Sequence, residues 1–397
     1  MTFPGPAIIS GALAFVLVAL LTEAMRRLAL WAHLVDQPRA ERIHVSATPY
    51  LGGAAIVCGA VGAVIMVIHP NNPQLLTVII SAISISALGL IDDLRSLGTG
   101  IRLTCECLAA AAVVVAGVRI TIFAGLPVGG HWMDDIGTVI WIVVITNSYN
   151  LLDNMDGAAT AIVVSTSLVL ATLALAVGRP GFAGLLLAVS AGCAGFLVHN
   201  WTPARIFMGD AGSLFLGFIM AASTVLLCSS IESSGAPFAS VACAMYLMMF
   251  VAIVDTCTVL VSRRRAGRRW NQGGGDHIAH RLCTVGFGTS RTVLVLAITA
   301  AVTAILGSVV VSGIVPAEAL LAVTLGAGVT VVVLAQRVNP YLTEITTPAG
   351  LRPDLARAEL AVASVSHLPA YQADLDDSAR VRDATGLRAG DIDLSQG

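Results

Sequence analysis

The segment Asn147-Ser-Tyr-Asn150-Leu-Leu-Asp153-Asn-Met-Asp156-Gly157 sets amides and carboxylates at three-residue spacing where a long apolar run ends. A neutral membrane span normally stops in a turn or a basic collar. An acidic, amide-rich exit points instead to a hard cation and an anionic substrate. Asn150 and Asp153 share a helix face, as do Asp153 and Asp156, whereas the run as a whole drifts around the helix from Asn147. Any metal pair is therefore drawn from neighbours within the run. Capping and turn formation would account for Asp153-Asn154 and Asp156-Gly157 without a ligand.

Three further polar clusters punctuate the apolar sequence. Asp92-Asp93 closes one run; adjacent helical residues diverge by about 100 degrees, so the two carboxylates face different ways and take different roles. The stretch Asn200-Trp-Thr-Pro-Ala-Arg-Ile-Phe207-Met-Gly209-Asp210-Ala-Gly212-Ser213 reads as a loop entering a helix. Gly209 and Gly212 permit close approach to a ligand, and Asp210 stands at the helix start as part of an anion site or as an N-cap. Asp276 to Arg281 carries His277 and His280 three apart beside Arg281, which favours function over a lone structural histidine.

The elements that must position these residues follow from composition. A chain of 397 residues that is 56% hydrophobic and 12% charged, with mean hydropathy +0.86, excludes an ordinary water-soluble domain. The expected fold class is all-α, a polytopic integral membrane helical bundle. Apolar runs of spanning length fall near 7–28, 51–69, 75–91, 103–118, 136–149, 158–177, 182–198, 212–230, 237–262, 291–312 and 315–336. That makes eleven spans, or ten where short runs merge. The first has no basic n-region and no small-residue cleavage site, so it reads as a retained helix rather than a signal peptide.

All 22 basic residues are Arg. They gather in the odd-numbered junctions, and only Arg119 and Arg179 lie in the opposite loops. The positive-inside rule then places the N-terminus outside, the C-terminus in the cytoplasm, and all four polar clusters on the cytoplasmic face. These clusters sit at helix ends, which suits an interfacial enzyme. A secondary transporter needs broken helices at the midplane and paired repeats, and the sequence displays neither. Asp255, inside the ninth span, reads as a structural partner within the bundle. The cluster from Arg263 to Arg269 with Trp270 reads as a topology anchor touching lipid headgroups. Seven of the eight Cys lie in apolar runs and read as filler. The chain divides into a transmembrane domain, 1–338, and a polar tail, 339–397, whose nine acidic residues, five Arg and four Pro suit a disordered cytoplasmic extension.

Taken in order, Asp92-Asp93, then Asn147 to Gly157, then Phe207-Met-Gly-Asp210-Ala-Gly-Ser-Leu, then the His-bearing loop, resemble the polyprenyl-phosphate N-acetylhexosamine-1-phosphate transferase family. Leu34-Val-Asp36-Gln-Pro38-Arg39, His44 and Pro49-Tyr-Leu-Gly52-Gly53 add the family's first cytoplasmic loop, so the likeness covers roughly residues 30 to 300. It implies transfer of a sugar 1-phosphate from a UDP-sugar to a polyprenyl phosphate in the inner (plasma) membrane, at a Mg2+ site that Mn2+ also fits. It implies a catalytic group of Asp92, Asp93, Asp153 and Asp210, with Asp92 as base or positioning group and Asp93 in support. Asp210 is the first metal ligand, followed by Asn150 and Asp153. Phe207 resembles the aromatic on which uracil stacks, with Asn200 and Asp156 as its polar contacts. His277, His280 and Arg281 resemble the loop that meets the sugar or diphosphate, and Arg102 and His44 further substrate contacts. The resemblance allows a homodimer and gives no role to nucleic acid. Two departures stand out: Ala279 replaces a common third His, and Arg102 stands where relatives often carry Lys. A Pro-Phe-His-His-His-Phe-Glu segment is absent, which favours the undecaprenyl- or decaprenyl-phosphate N-acetylglucosaminyl 1-phosphate branch over the muramoyl-pentapeptide branch.

Overall fold

The computed structural model describes residues 4–36, 48–120, 130–232, 238–270 and 273–338. His44, with Arg39 and Arg42, lies outside the described residues, as does the tail from 339 onward. The order is α1 (Gly5–Trp31), a two-stranded antiparallel pair β1 (Val35–Asp36) and β2 (Thr48–Pro49), α2 (Gly52–Val67), α3 (Pro73–Leu94), α4 (Thr99–Val115) and α5 (Gly130–Leu152). There follow α6 (Ala158–Ala176), α7 (Pro180–Asn200), α8 (Gly209–Glu232), α9 (Phe238–Met248), α10 (Phe250–Arg265), the short α11 (Ile278–Thr284), α12 (Thr289–Val311) and α13 (Ala317–Ala335).

Apolar sequence forms helices here because lipid offers no partner to a backbone N–H or C=O, so each must be paired within its own segment. Among the described residues, eight helices are long and apolar enough to cross a membrane: α1, α3, α5, α6, α7, α8, α12 and α13. The pair α9 and α10 makes a ninth if taken as one span. Helices α2 and α4, of 16 and 17 residues, coincide with two of the expected runs but fall short of the ~20 residues a span normally needs. The chain is a multi-pass membrane helical protein.

One expectation is corrected. The ninth run is not a continuous helix but breaks at Met249, where α9 and α10 meet at 77°. Neither Gly nor Pro marks the break. Met249 leaves helical geometry at φ −110° and ψ 17°, yet donates to the Met245 carbonyl at 3.2 Å and accepts from Ile253 N–H at 3.0 Å. With the backbone still paired, the bend leaves no mark in the sequence.

Helix α8 runs through the centre of the bundle, its spanning segment enclosed on all sides. It packs against α2, α3 and α5, while α1 packs on α2 and α7, and α6 on α7 and α12. The approach of α2 to α8 depends on Gly53, where a Cβ would lie 2.6 Å from Gly212 Cα. Outer helices such as α13 turn Val323, Val329 and Val333 outward, as expected of surfaces that meet lipid tails. The C-terminal ends of α3, α5 and α7 thus meet the N-terminal ends of α4, α6 and α8 at one end of the bundle.

Candidate active site

Helix α8 begins with free N–H groups that need an acceptor. Asp93, from the end of α3, supplies it: its carboxylate accepts the main-chain N–H of Asp210 at 3.0 Å and of Ala211 at 3.2 Å. The cap of this helix therefore comes from another helix, and Asp210 keeps its own side chain for other work. Gly209 makes the arrangement fit, because its φ of 65° is one that L side chains rarely adopt. A Cβ there would sit 2.6 Å from Asp93 Oδ2.

Asp92 points away from Asp93, as helical geometry requires. One oxygen accepts from the main-chain N–H of Leu97, and the other lies 3.4 Å from Arg102 Nη1. The same nitrogen reaches Asp210 Oδ2 at 3.2 Å. One guanidinium thus joins the ends of α3, α4 and α8. Asp210 Oδ1 in turn accepts from Asn150 Nδ2 at 2.8 Å, and that amide also donates to Ser213 Oγ at 2.9 Å. Asn147 lies one turn earlier on α5 and accepts from Arg102 Nη2 at 3.1 Å.

Asp153 occupies the turn after α5, half-buried, its N–H donating to the Asn150 carbonyl at 3.3 Å. The donor set at this end of the bundle is oxygen: the Asp92 and Asp210 carboxylates, with the Asn150 amide beside them. Among the described residues, no group of three or more His, Cys, Asp or Glu is gathered as a metal cage. Few protein oxygens, with room left for water and phosphate, is the pattern Mg2+ tolerates best. The residues present fit such an ion.

Asn200 and Asp156 fasten the neighbouring loop. The buried Asn200 amide accepts from Gly157 N–H at 3.0 Å and Thr160 Oγ1 at 3.3 Å, and donates to the Ile206 carbonyl at 3.0 Å. Asp156 Oδ2 accepts the Ala204 N–H at 2.9 Å. Phe207 is held through its backbone, donating to the Pro49 carbonyl at 2.8 Å and accepting from Gly52 N–H at 3.0 Å. The segments read as first loop and nucleotide loop are thereby laced together.

The His-bearing loop is tied to α10 and α13. Asp255 Oδ2 meets His277 Nδ1 at 2.8 Å, and its Oδ1 accepts the Ile278 N–H at 2.8 Å. Asp255, expected to have a structural partner within the bundle, is instead paired with the loop that carries His277. Arg263 pairs with buried Asp276 at 2.8 Å. Arg281 is buried and spends its guanidinium on the Asp276 carbonyl, on Ser262 Oγ and on the Ala335 and Val338 carbonyls at the end of α13. His280 keeps a largely buried ring, and burial, reinforced by the neighbouring His277, lowers its pKa to about 4. It is neutral at physiological pH.

One residue of this end of the bundle escaped the sequence reading. Glu106 on α4 is buried and accepts from Asn147 Nδ2. Its signal was an acid inside an apolar run, one helical turn after Arg102.

Fold and site together define a multi-pass membrane protein with an acidic, arginine-bridged site where helix ends converge. The glycosyl transferase family 4 profile matches residues 75–228, the stretch from Asp92 to Asp210 included. A Streptomyces coelicolor protein given only the provisional name of glycosyltransferase is 33% identical over 359 residues, which cover 89% of this chain and 82% of that protein. A Bacillus subtilis protein named "Probable undecaprenyl-phosphate N-acetylglucosaminyl 1-phosphate transferase" is 31% identical over 285 residues, 70% of this chain and 78% of its own length. A phospho-N-acetylmuramoyl-pentapeptide-transferase of Desulforudis audaxviator is 27% identical over 340 residues, 76% and 97% respectively. The chain belongs to glycosyl transferase family 4.

Proposed function

We propose that this protein transfers a sugar 1-phosphate, N-acetylglucosamine 1-phosphate in the first instance, from a UDP-sugar to a polyprenyl phosphate, starting a lipid-linked envelope glycan. A phosphate oxygen of the lipid forms a bond to the sugar-bearing phosphorus. The bond from that phosphorus to the bridging oxygen breaks, and UMP leaves with the electron pair. The observation that carries this reading is the meeting of Asp92, Asp210, Asn150 and Arg102 where membrane helices end. There a lipid phosphate and a water-soluble nucleotide can both reach.

Phosphoryl transfer asks for alignment and charge neutralisation more than for covalent help. Asp210, with Asn150 and then Asp153, would hold Mg2+, or Mn2+ in its place, which neutralises charge on the diphosphate when bound. Arg102 adds a fixed positive charge beside the same carboxylates. Asp92 takes a positioning or base role; a phosphate monoester has a second pKa of about 6 and is largely ionised at pH 7, so the demand for a base is small. Phe207 offers the aromatic face for uracil, with Asp156 and Asn200 setting the loop around it. His277 and His280 would meet the sugar or diphosphate, His280 as a neutral ring.

The proposed setting is the cytoplasmic face of the inner membrane, with the N-terminus outside, eleven helical segments counted as spans and the tail from 339 in the cytoplasm. Dimer formation is compatible with it. Transfer of phospho-N-acetylmuramoyl-pentapeptide is the runner-up, favoured by the similarity to the Desulforudis enzyme. A transporter reading draws on the broken pair α9 and α10, but both oxygens of Asp255 are engaged there by His277 and Ile278.

The test is product formation. Purified protein with Mg2+ and undecaprenyl phosphate is given radiolabelled UDP-N-acetylglucosamine or UDP-N-acetylmuramoyl-pentapeptide, and label is counted in the lipid extract. Label from the first donor supports the proposal, label from the second alone supports the runner-up, and none from either refutes both.

A further inference from the structure

Glu106 is the one acid of α4 and is 1% exposed. A buried carboxylate is costly unless it is paired, so its partners define its purpose. Oε2 accepts from Asn147 Nδ2. Oε1 faces Arg102 Nε at 3.6 Å, beyond hydrogen-bond reach, and both of those atoms are buried without a hydrogen-bond partner. Asn147 Oδ1 closes the ring by accepting from Arg102 Nη2 at 3.1 Å. One edge of the guanidinium is thus bonded to Asn147, and a second faces the Glu106 carboxylate without a bond. The third, through Nη1, is presented to Asp210 at 3.2 Å and Asp92 at 3.4 Å.

The slack in the Nε to Oε1 contact is the informative feature. Closing it to the ~2.9 Å of an ordinary charge-assisted bond moves the guanidinium back by several tenths of an ångström. That movement loosens Nη1 from Asp92 and Asp210. With no acid behind it, the guanidinium feels only the pull of those two carboxylates and stays on them.

We propose that Glu106 is a positioning residue for Arg102: it holds the guanidinium back from full engagement with Asp92 and Asp210, so that Nη1 stays available to the incoming diphosphate. The proposal rests on the transferase reading. It gives Glu106 no contact with substrate; the effect passes through Arg102 alone.

The experiment is a double-mutant cycle on the purified full-length protein, following UMP release from UDP-N-acetylglucosamine with undecaprenyl phosphate and Mg2+. Glu106→Ala should lower kcat by about 100-fold, the scale of a misplaced catalytic charge, with KM for the nucleotide sugar changed far less. Glu106→Gln keeps the volume and the Asn147 contact but gives up the charge facing Arg102, and should lose about 10-fold on the same scale. In an Arg102→Ala background neither change should slow the enzyme further. Where Glu106→Ala does not fold, the cycle is run with Glu106→Gln. Losses that add to that of Arg102→Ala, or Glu106 variants as fast as wild type, overturn the proposal alone. A wild type that releases no UMP overturns the transferase reading and the proposal with it.

Discussion

The carboxylate of Asp93 holds the first turn of the helix that carries Asp210, accepting the Asp210 and Ala211 N–H groups at 3.0 and 3.2 Å. An acid on α3 thereby fixes where an acid on α8 can point, and Asp210 stays free to meet Arg102 and Asn150. Loss of a helix cap alone costs about 1 kcal/mol. Asp93→Ala should therefore lower the thermal stability in detergent modestly, while the shift of Asp210 lowers kcat on the order of 100-fold with little change in KM. Equal and small losses in kcat and stability would contradict the positioning role.

Arg281 gives the opposite balance. Its guanidinium fastens α11 to Ser262 and to the last turn of α13, a set of bonds that the point charge of Lys does not reproduce. Arg281→Lys should cost on the order of 2 kcal/mol of stability, seen as a lower Tm, with KM for the UDP-sugar unchanged in the folded fraction. A raised KM at unchanged Tm would instead support the substrate contact that the sequence resemblance implies for Arg281.

His280 supplies a pH dependence. Its folded pKa of about 4 lies below the ordinary histidine value of 6.5 because burial, then the neighbouring His277, disfavours the charged ring. An unfolded chain binds this proton more readily than the folded one as pH falls. The stabilising contribution is therefore present above about 6.5 and is lost between there and about 4. Thermal unfolding measured from pH 7 to pH 4 should show a decline that His280→Gln flattens; an identical decline in the variant would remove the assignment.

Much of the site was legible because its residues carry local marks. Carboxylates and amides at helical spacing, ending apolar runs, are rare enough in a membrane chain to announce themselves, and the angular offset between Asp92 and Asp93 correctly separated their directions. What stayed hidden depends on contacts between distant segments. Nothing local distinguishes Asn200 facing a ligand from Asn200 bonded to Gly157, Thr160 and Ile206. The burial of Arg281 depends on α13, more than fifty residues away in sequence. Glu106 went unread because its purpose lies on α5, in Asn147. The break at Met249 keeps its main-chain bonds and so escapes any reading built on Gly and Pro.

Asp210 joins the cap from Asp93, the guanidinium of Arg102 and the amide of Asn150. Asp210→Asn keeps the volume and the backbone cap but removes the charge. The decisive measurement is UMP release by purified wild type and Asp210→Asn, each with Mg2+, undecaprenyl phosphate and a panel of UDP-sugars. UMP is expected from the wild type with at least one sugar, with a loss of about 1,000-fold or more in the variant, the scale of removing a principal source of transition-state charge stabilisation. Equal rates in the two proteins, or no UMP from either, would contradict that expectation.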